Sequence, residues 1–557
     1  MPDSLNPPPA WLRNAVFYQI YPQSFYDSNG DGIGDLQGII QKLDYVKSLG
    51  CDAIWLNPVF VSPFRDAGYD VTDFRKVDPR YGTNEDLVAL FEAAHRRGLR
   101  VVLDLVAGHT SIEHPWFQES MKAERNDKTD RYLWVEPVWR DAPKALTTIR
   151  GFAERNGSYV TNFFWCQPAL NYGYADPNPA NPWEKPVDHP ACQATIRELR
   201  EIMKFWLLRG ADGFRVDMAQ SLIRGHDEAK RVAEIQRLWR GIRAWMDREH
   251  PEAVLISEWS FPQHAIGAGF HVDFMLHFET IAYNSLFRNH CEELITGLPR
   301  GNSYFHRAAN GDIRLFLDIF LEHYHATRGK GYISIPTGNH DVPPRLAEDR
   351  TPDELRCALL FLFTLPGIPF IYYGDEIGMR HAYGLASHEG GYERTGVRTP
   401  MQWDNAPNAG FSSAEASQLY LPVEANPEER TVAAAEQDRD SVLHFVRRLV
   451  RLRKCFPALG SDGDFQCVYA EGGAYPFVFE RSAGGERFWV AVNPSGAARE
   501  ASWETDAIGA ERLVGERGTL TFKNGFARVT TPAGGYGLWR IRTAGGAATG
   551  EAAAASA

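Results

Sequence analysis

The sequence predicts an α/β protein: a (β/α)8 barrel with a small domain inserted after its third strand and an all-β sandwich at its C-terminal end. Three observations predict it. Eight short runs rich in β-branched and aromatic residues alternate with longer amphipathic segments. A stretch from about 110 to 190, rich in Trp, Tyr, Pro and Asn, interrupts that alternation. From about 430 the pattern changes to short alternating segments separated by Gly-rich turns.

The first unit is AVFYQIYP (15–22) followed by the helix-like DLQGIIQKLDYVKSLG (35–50). AIWLNP (53–58), NEDLVALFEAAHRRG (84–98) and RVVLDLV (100–106) give the second strand, its helix and the third strand. After the gap, CQATIRELREIMKFWLLRG (192–210) leads into DGFRVDMA (212–219), and a long helical region leads to AVLISEWS (253–260). HVDFMLHF (271–278), YISIPTGNHD (332–341) and PFIYYGDEIGM (369–379) complete the eight. Strands that read as continuous apolar runs belong to parallel sheets covered by helices. Eight such units over about 400 residues fit a barrel, with an open doubly wound sheet as the competing topology. CALLFLFTLPGIPFIYY (357–373) approaches membrane length, but Pro366, Gly367 and Pro369 break it into helix, turn and strand.

The 110–189 stretch is too long for a loop and reads as an inserted domain. PFVFERS, RFWVAVNPS, GTLTF and YGLWRIR read as strands of a sandwich. The expected division is therefore barrel over 11–109 and 190–430, inserted domain over 110–189, sandwich over 431–545 and a low-complexity tail over 546–557.

Composition narrows the function. Of 557 residues, 44% are hydrophobic and 23% charged, which suits a large globular core. The net charge of −12, with no basic block, argues against nucleic acid or an anionic membrane and leaves a small-molecule partner. Seven scattered cysteines, without CxxC spacing, argue against a disulfide framework or a zinc site. The N-terminal MPDSLNPPPAWLRNAV has no apolar signal core, so a cytoplasmic location is expected. No feature calls for an organic cofactor.

The chemistry gathers where barrel enzymes keep it, at the C-terminal strand ends. Asp104 and His109 follow the third strand, Arg215 and Asp217 lie on the fourth, Glu258 ends the fifth, and His340 and Asp341 end the seventh. Residues two apart on a strand share a face, so Arg215 and Asp217 point together into the barrel mouth. A guanidinium beside a carboxylate favours its ionised form, as a nucleophile requires, and a neighbouring protonated Glu suits a general acid. Two carboxyls in those states form a retaining glycosidase pair. The competing reading is a structural ion-pair network. Three buried carboxylates in one mouth, mutually repulsive, weigh against it.

Those stretches resemble glycoside hydrolase family 13, the α-amylase family, over about residues 11 to 430. DLVAGH (104–109), GFRVD (213–217), SEW (257–259) and GNHD (338–341) look like its four conserved stretches. The resemblance implies that Asp217 is the nucleophile, Glu258 the acid/base and Asp341 a third carboxylate that holds the sugar and aids its distortion. His109, Arg215 and His340 would line the subsite of the transferred glycosyl unit. DAGYD (66–70), QPALN (167–171) and RTGVRTPMQWD (394–404) look like oligo-1,6-glucosidase and related α-glucosidases. Asp66 and Arg398 then match an acidic–basic pair that grips the non-reducing end and imposes exo action. Tyr69 and Phe163 would face sugar, against a plain packing role, and Arg394 is a further candidate, against a surface role. The expected activity is a retaining α-glucosidase on small saccharides. The alternative is transfer on the same scaffold, as in trehalose synthase-like, sucrose-isomerising or phosphorolytic enzymes.

DSNGDGIGD (27–35) is a separate signal. The side chains of Asp27, Asn29, Asp31 and Asp35, with the Ile33 carbonyl, place oxygens at alternate positions, and glycines between them permit the turn. That donor set suits a structural Ca²⁺ or Mg²⁺, and related α-glucosidases carry a matching loop. Three positions depart from the family pattern: Gly108 stands where Asn is usual, Ala169 where Asp is usual, and Met218 where Val or Thr follows the nucleophile.

Overall fold

The computed structural model describes residues 5–276, 281–288, 301–424 and 427–543. The expected tail at 546–557, Cys291 and the last residues of the sixth strand segment lie outside that set. Each of the eight apolar segments contains a strand: β1 (Phe17–Ile20), β2 (Ala53–Leu56), β3 (Arg100–Leu105), β4 (Gly213–Val216), β5 (Val254–Ser257), β6 (Val272–Phe274), β7 (Tyr332–Ser334) and β8 (Phe370–Tyr372). They form one parallel sheet in the order β7-β6-β5-β4-β3-β2-β1-β8. The open doubly wound alternative would leave β7 and β8 as free edges. Instead Ile368 N–H donates to Ile333 O (3.1 Å) and Thr337 N–H to Phe370 O (3.0 Å), which brings the two edges together.

Nearly every barrel-strand residue is buried, because helices cover the outside and large side chains fill the inside. Trp55, Phe274 and Phe370 pack together there, with ring centroids 4.7 to 6.3 Å apart. The Arg215 guanidinium lies 4.9 Å over the Trp55 ring, so this aromatic layer floors the mouth. The covering helices start where the sequence supplies caps. Asp35 accepts from Gly38 N–H at the head of α1 (Leu36–Ser48). Thr83 and Asp86 form a capping box on α2 (Asn84–Arg96).

The inserted segment carries a three-stranded antiparallel sheet: Trp134–Val135, Thr148–Ile149 and Ser158–Val160. At the C-terminal end, a five-stranded and a three-stranded antiparallel sheet face each other and bury Val478, Trp489, Ala501, Val529 and Trp539 between them. Strand pairing there begins at Asp464, later than the boundary read at 431. The helix Val442–Cys455 lies between and packs on the barrel. Its Lys454 reaches Gly50 O and Asp52, and its Arg453 donates to the carbonyls of Phe363, Leu365 and Gly367. Its arginine-rich polar face hides this role from a reading by apolar content. No helix among the described residues is long and apolar enough to cross a membrane. Six of the seven cysteines lie in the described residues and all six are free.

Candidate active site

The strand register brings the expected carboxylates together. Asp104 on β3 sits opposite Arg215 on β4, and Arg215 opposite Ile256 on β5. Asp217 and Glu258 are each the first residue past their strand. Asp217 N–H still donates to Leu105 O (3.0 Å) and Glu258 N–H to Val216 O (3.1 Å). Both therefore project from the same rim.

One guanidinium ties the group together. Arg215 Nη1 donates to Asp104 Oδ1 (2.8 Å) and Asp217 Oδ1 (3.1 Å), while its Nη2 lies 2.6 Å from Glu258 Oε1. The other Glu258 oxygen accepts from Met218 N–H (3.0 Å). Met218 has φ of +42° and Ser260 has φ of +60°. Left-handed backbone at a non-glycine residue is costly, and it flanks both carboxylates here, as expected where strain holds a working geometry.

The charge states differ from the simplest sequence expectation. Burial and the Glu258 charge push the Asp217 carboxyl well above its usual range, against the pull of Arg215. Arg215 alone does not hold it ionised, because Asp104 and Glu258 draw on the same guanidinium. Asp217 and Glu258 thus compete for one cation, and the ionisation of each affects the other. Asp341 is the opposite case. Burial raises it, but His340, Arg394 and Arg398 more than offset this and hold it well below the usual carboxylate range.

Asp341 lies beside β7's C-terminal end among those three groups. Arg394 Nη1 and Arg398 Nη2 both donate to its Oδ1 (2.7 and 2.8 Å), and His340 Nε2 lies 2.9 Å from its Oδ2. Gln19 Nε2 donates to His340 Nδ1 (3.0 Å), so the ring's proton sits on Nε2, facing the carboxylate. Tyr69 stacks flat on His340, with centroids 5.3 Å apart, and its hydroxyl donates to Asp104 Oδ2 (2.8 Å). Tyr69 is thus a wall of the mouth as well as a packed side chain.

The expected pairing of Asp66 with Arg398 is corrected. Asp66 Oδ1 is met by Arg394 Nη2 (3.3 Å) and its Oδ2 by Gln167 Nε2 (2.8 Å). Arg398 is turned by its Nε bond to His340 O (2.8 Å) and faces Asp341 instead. Its Nη1 is buried without a protein partner, a donor available to a ligand hydroxyl. Arg394, the weaker candidate in sequence, bridges both acids and lies over the rings of Phe163 and Phe164 (5.8 and 5.6 Å). Phe163 itself is 47% exposed and stands at the rim.

His109 is fully buried, and burial lowers it to about 4. Its Nε2 lies 3.1 Å from Tyr69 O, and Asn162 Nδ2 lies 3.2 Å from its Nδ1. A neutral ring with its proton on Nε2 satisfies both contacts. Asn162 also accounts for Gly108. A Cβ at position 108 would lie 2.6 Å from Asn162 Nδ2 and 3.0 Å from Ser221 Oγ. An amide from the inserted segment fills the space where the family usually has an Asn side chain. Sequence reading missed Asn162 and Gln167, although Gln167 opens the QPALN motif.

The side chains of the 27–35 loop have hydrogen-bond partners other than these carboxylates. Asp27 accepts from the N–H groups of Asn29, Gly30 and Gly32 and from Ser412 Oγ. Asp35 accepts from Ser28 N–H, Ser28 Oγ and Gly38 N–H. Asn29 and Asp31 each accept one N–H, from Asp31 and Ile33. Among the described residues, no group of three or more His, Cys, Asp or Glu side chains is arranged to hold a metal.

Comparison with known proteins shows the family and the fold. The family description "Alpha amylase, catalytic domain" matches residues 19–462. Trehalose synthase/amylase TreS of Mycobacterium tuberculosis is 34% identical over 509 residues, covering 84% of this chain and 79% of that protein. Oligo-1,6-glucosidase of Parageobacillus thermoglucosidasius is 32% identical over 538 residues, covering 87% and 90%. A solved structure of an inactive MutB double mutant in complex with isomaltulose superposes with a TM-score of 0.77 at 25% identity, covering 96% of this chain and all of that one.

Proposed function

Because the chain belongs to the alpha-amylase family, and is thereby a glycoside hydrolase, we propose that it is a retaining, exo-acting α-glucosidase that cleaves small α-glucosides through a covalent glycosyl-enzyme intermediate. The observation that carries the proposal is Arg215 bridging Asp217 and Glu258, with Asp341 held ionised beside them.

One proton held between the two carboxyls gives them their roles in this reading. With the proton on Glu258, Asp217 is free to attack the anomeric carbon while Glu258 protonates the departing oxygen. Arg215, between the two, stabilises whichever is charged. Glu258, now ionised, takes a proton from water, which opens the Asp217 ester and restores the starting state. Asp341, ionised and flanked by cations, accepts hydroxyls of the bound sugar. Asp66, Arg394 and Arg398 support a closed end, since a longer chain passing them would leave buried charges unpaired.

A panel of maltose, isomaltose, trehalose, sucrose and soluble starch, with products resolved by chromatography, tests this. Glucose from the disaccharides and little action on starch are expected. A rapid fall in starch viscosity before glucose appears would replace the proposal with an endo-acting amylase. New disaccharides in place of glucose would assign the chain to transfer, the activity that the name trehalose synthase gives to one relative.

The 27–35 loop enters the proposal as a structural Ca²⁺ or Mg²⁺ site. Its support is an all-oxygen donor set in which Asn29 and Asp31 keep lone pairs beyond the N–H each accepts. A bound ion would stabilise the loop and have no part in bond cleavage. Chelation with EDTA should lower the melting temperature by several degrees, and added Ca²⁺ should restore it. A melting curve indifferent to both would remove the cation.

A further inference from the structure

The loop that carries Arg394 is held from behind by a carboxylate the chemistry does not use. The segment 383–393 is largely exposed, yet Glu389 turns inward, its side chain only 11% exposed. Its Oε1 accepts from Arg80 Nη1 (2.7 Å) and its Oε2 from the Tyr420 hydroxyl (3.0 Å). Each partner is itself held beside residues of the pocket's closed end. The Arg80 guanidinium lies 3.5 Å over the ring of Phe64, two residues before Asp66. The Tyr420 hydroxyl lies 3.0 Å from that of Tyr21, whose ring is 5.4 Å from the Arg398 guanidinium.

This anchoring bears on Arg394 through the backbone. Glu389 and Tyr392 have φ of +44° and +46°, and Gly390 between them has +68°. Left-handed backbone at two non-glycine residues is costly and persists only where its surroundings enforce it. A Cβ at Gly390 would lie 2.5 Å from Arg65 O, so the turn presses directly on the segment that bears Asp66. The same turn aims the guanidinium. Arg394 Nη2 donates to Gly390 O (2.6 Å) and its Nε to Gly391 O (3.3 Å). From that position it reaches Asp66 Oδ1 and Asp341 Oδ1. A turn released from Arg80 and Tyr420 would carry those two carbonyls, and the guanidinium with them, away from both acids.

We propose that Glu389 is a positioning residue for the closed end of the pocket: it holds the turn that presents Arg394 to Asp66 and Asp341. The role rests on the glucoside-cleaving reading of the mouth. The competing reading is an ion pair that only stabilises the fold. The two differ in where a loss appears. A positioning residue acts through Arg394 and is without effect once Arg394 is gone, whereas a purely structural pair acts on the whole protein whether or not Arg394 is present.

The test is a double-mutant cycle on the full chain. It is read by calorimetry as the dissociation constant of deoxynojirimycin, a glucose-shaped iminosugar whose binding needs no turnover. Glu389→Ala should weaken that binding by about tenfold or more, and by less than about twofold in the Arg394→Ala background, where the anchor has nothing left to position. Glu389→Gln keeps an oxygen for the Tyr420 hydroxyl and removes the charge facing Arg80, so it remains informative should the alanine variant fail to fold. It should cost about threefold, a loss that again disappears in the Arg394→Ala background. Equal losses in the two backgrounds, or a lower melting temperature with unchanged binding, would reduce Glu389 to a structural ion pair and overturn the proposal. Absence of iminosugar binding by the wild type would sink the glucoside reading and this role with it. Failure of the cycle in a wild type that binds would sink the role alone.

Discussion

Asp217→Asn is expected to lower turnover by about four to six orders of magnitude, the scale set by removing an essential nucleophile. It should do so while leaving the protein as stable as before, or more so. The sign follows from the charge states. Asp217 titrates well above an unfolded aspartate because of burial and Glu258. A carboxyl that holds its proton more tightly when folded favours folding at low pH, and that contribution is lost as pH rises toward the folded value. At neutral pH the wild type therefore carries a penalty that a neutral amide removes. Arg215 keeps Asp104 and Glu258 as partners in the variant, so no cation is stranded. Calorimetry at pH 7 should show an equal or higher melting temperature, with the difference shrinking as pH falls from the raised folded value and gone below about pH 4, the unfolded value. In the smaller variant Asp217→Gly, azide can attack from the vacated side and give a β-glucosyl azide. Turnover above about a tenth of wild type in the folded Asn variant would reject Asp217 as nucleophile.

Much of this arrangement is legible in the sequence because it rests on short-range geometry. Continuous apolar runs mark parallel strands, and a two-residue spacing puts Arg215 and Asp217 on one face. Once the strands are ordered, Glu258 at the end of the adjacent strand falls beside them. The parts that escaped depend on contacts between distant segments. Which arginine meets Asp66 is decided by Arg398 being held on His340 O, a backbone carbonyl 58 residues away. That leaves Arg394 to span to Asp66, 328 residues distant, and no spacing rule gives that. Gly108 reads as a missing side chain until Asn162 from the inserted segment is seen in its place. The raised titration of Asp217 depends on burial around three acids and one cation, and a motif names the residues without their solvation.

Glu258→Gln is expected to have the second largest effect, and its signature differs from that of the nucleophile. Loss should be greatest for substrates with poor leaving groups, by about two to four orders of magnitude for a disaccharide, because protonation of the departing oxygen matters most there. An activated aryl α-glucoside needs little protonation and should still form the glycosyl-enzyme. Its turnover then stalls at the second step, where water lacks its base, and a burst of phenolate followed by a slow steady state should appear. Azide needs no base. It should restore turnover by attacking the intermediate from the side Glu258 faces, opposite to Asp217, and so yield an α-glucosyl azide. The two variants thus give azides of opposite configuration, which proton magnetic resonance distinguishes at the anomeric position. The basic limb of the wild-type rate profile should also flatten in the variant, since no acid remains to lose its proton. Some structural cost is built in: the amide that replaces the carboxylate can accept from Arg215 or from Met218 N–H with its one oxygen, where the carboxylate served both. A melting curve measures that cost separately from the kinetics. Equal loss on all leaving groups, with no azide product, would place the acid/base on another residue.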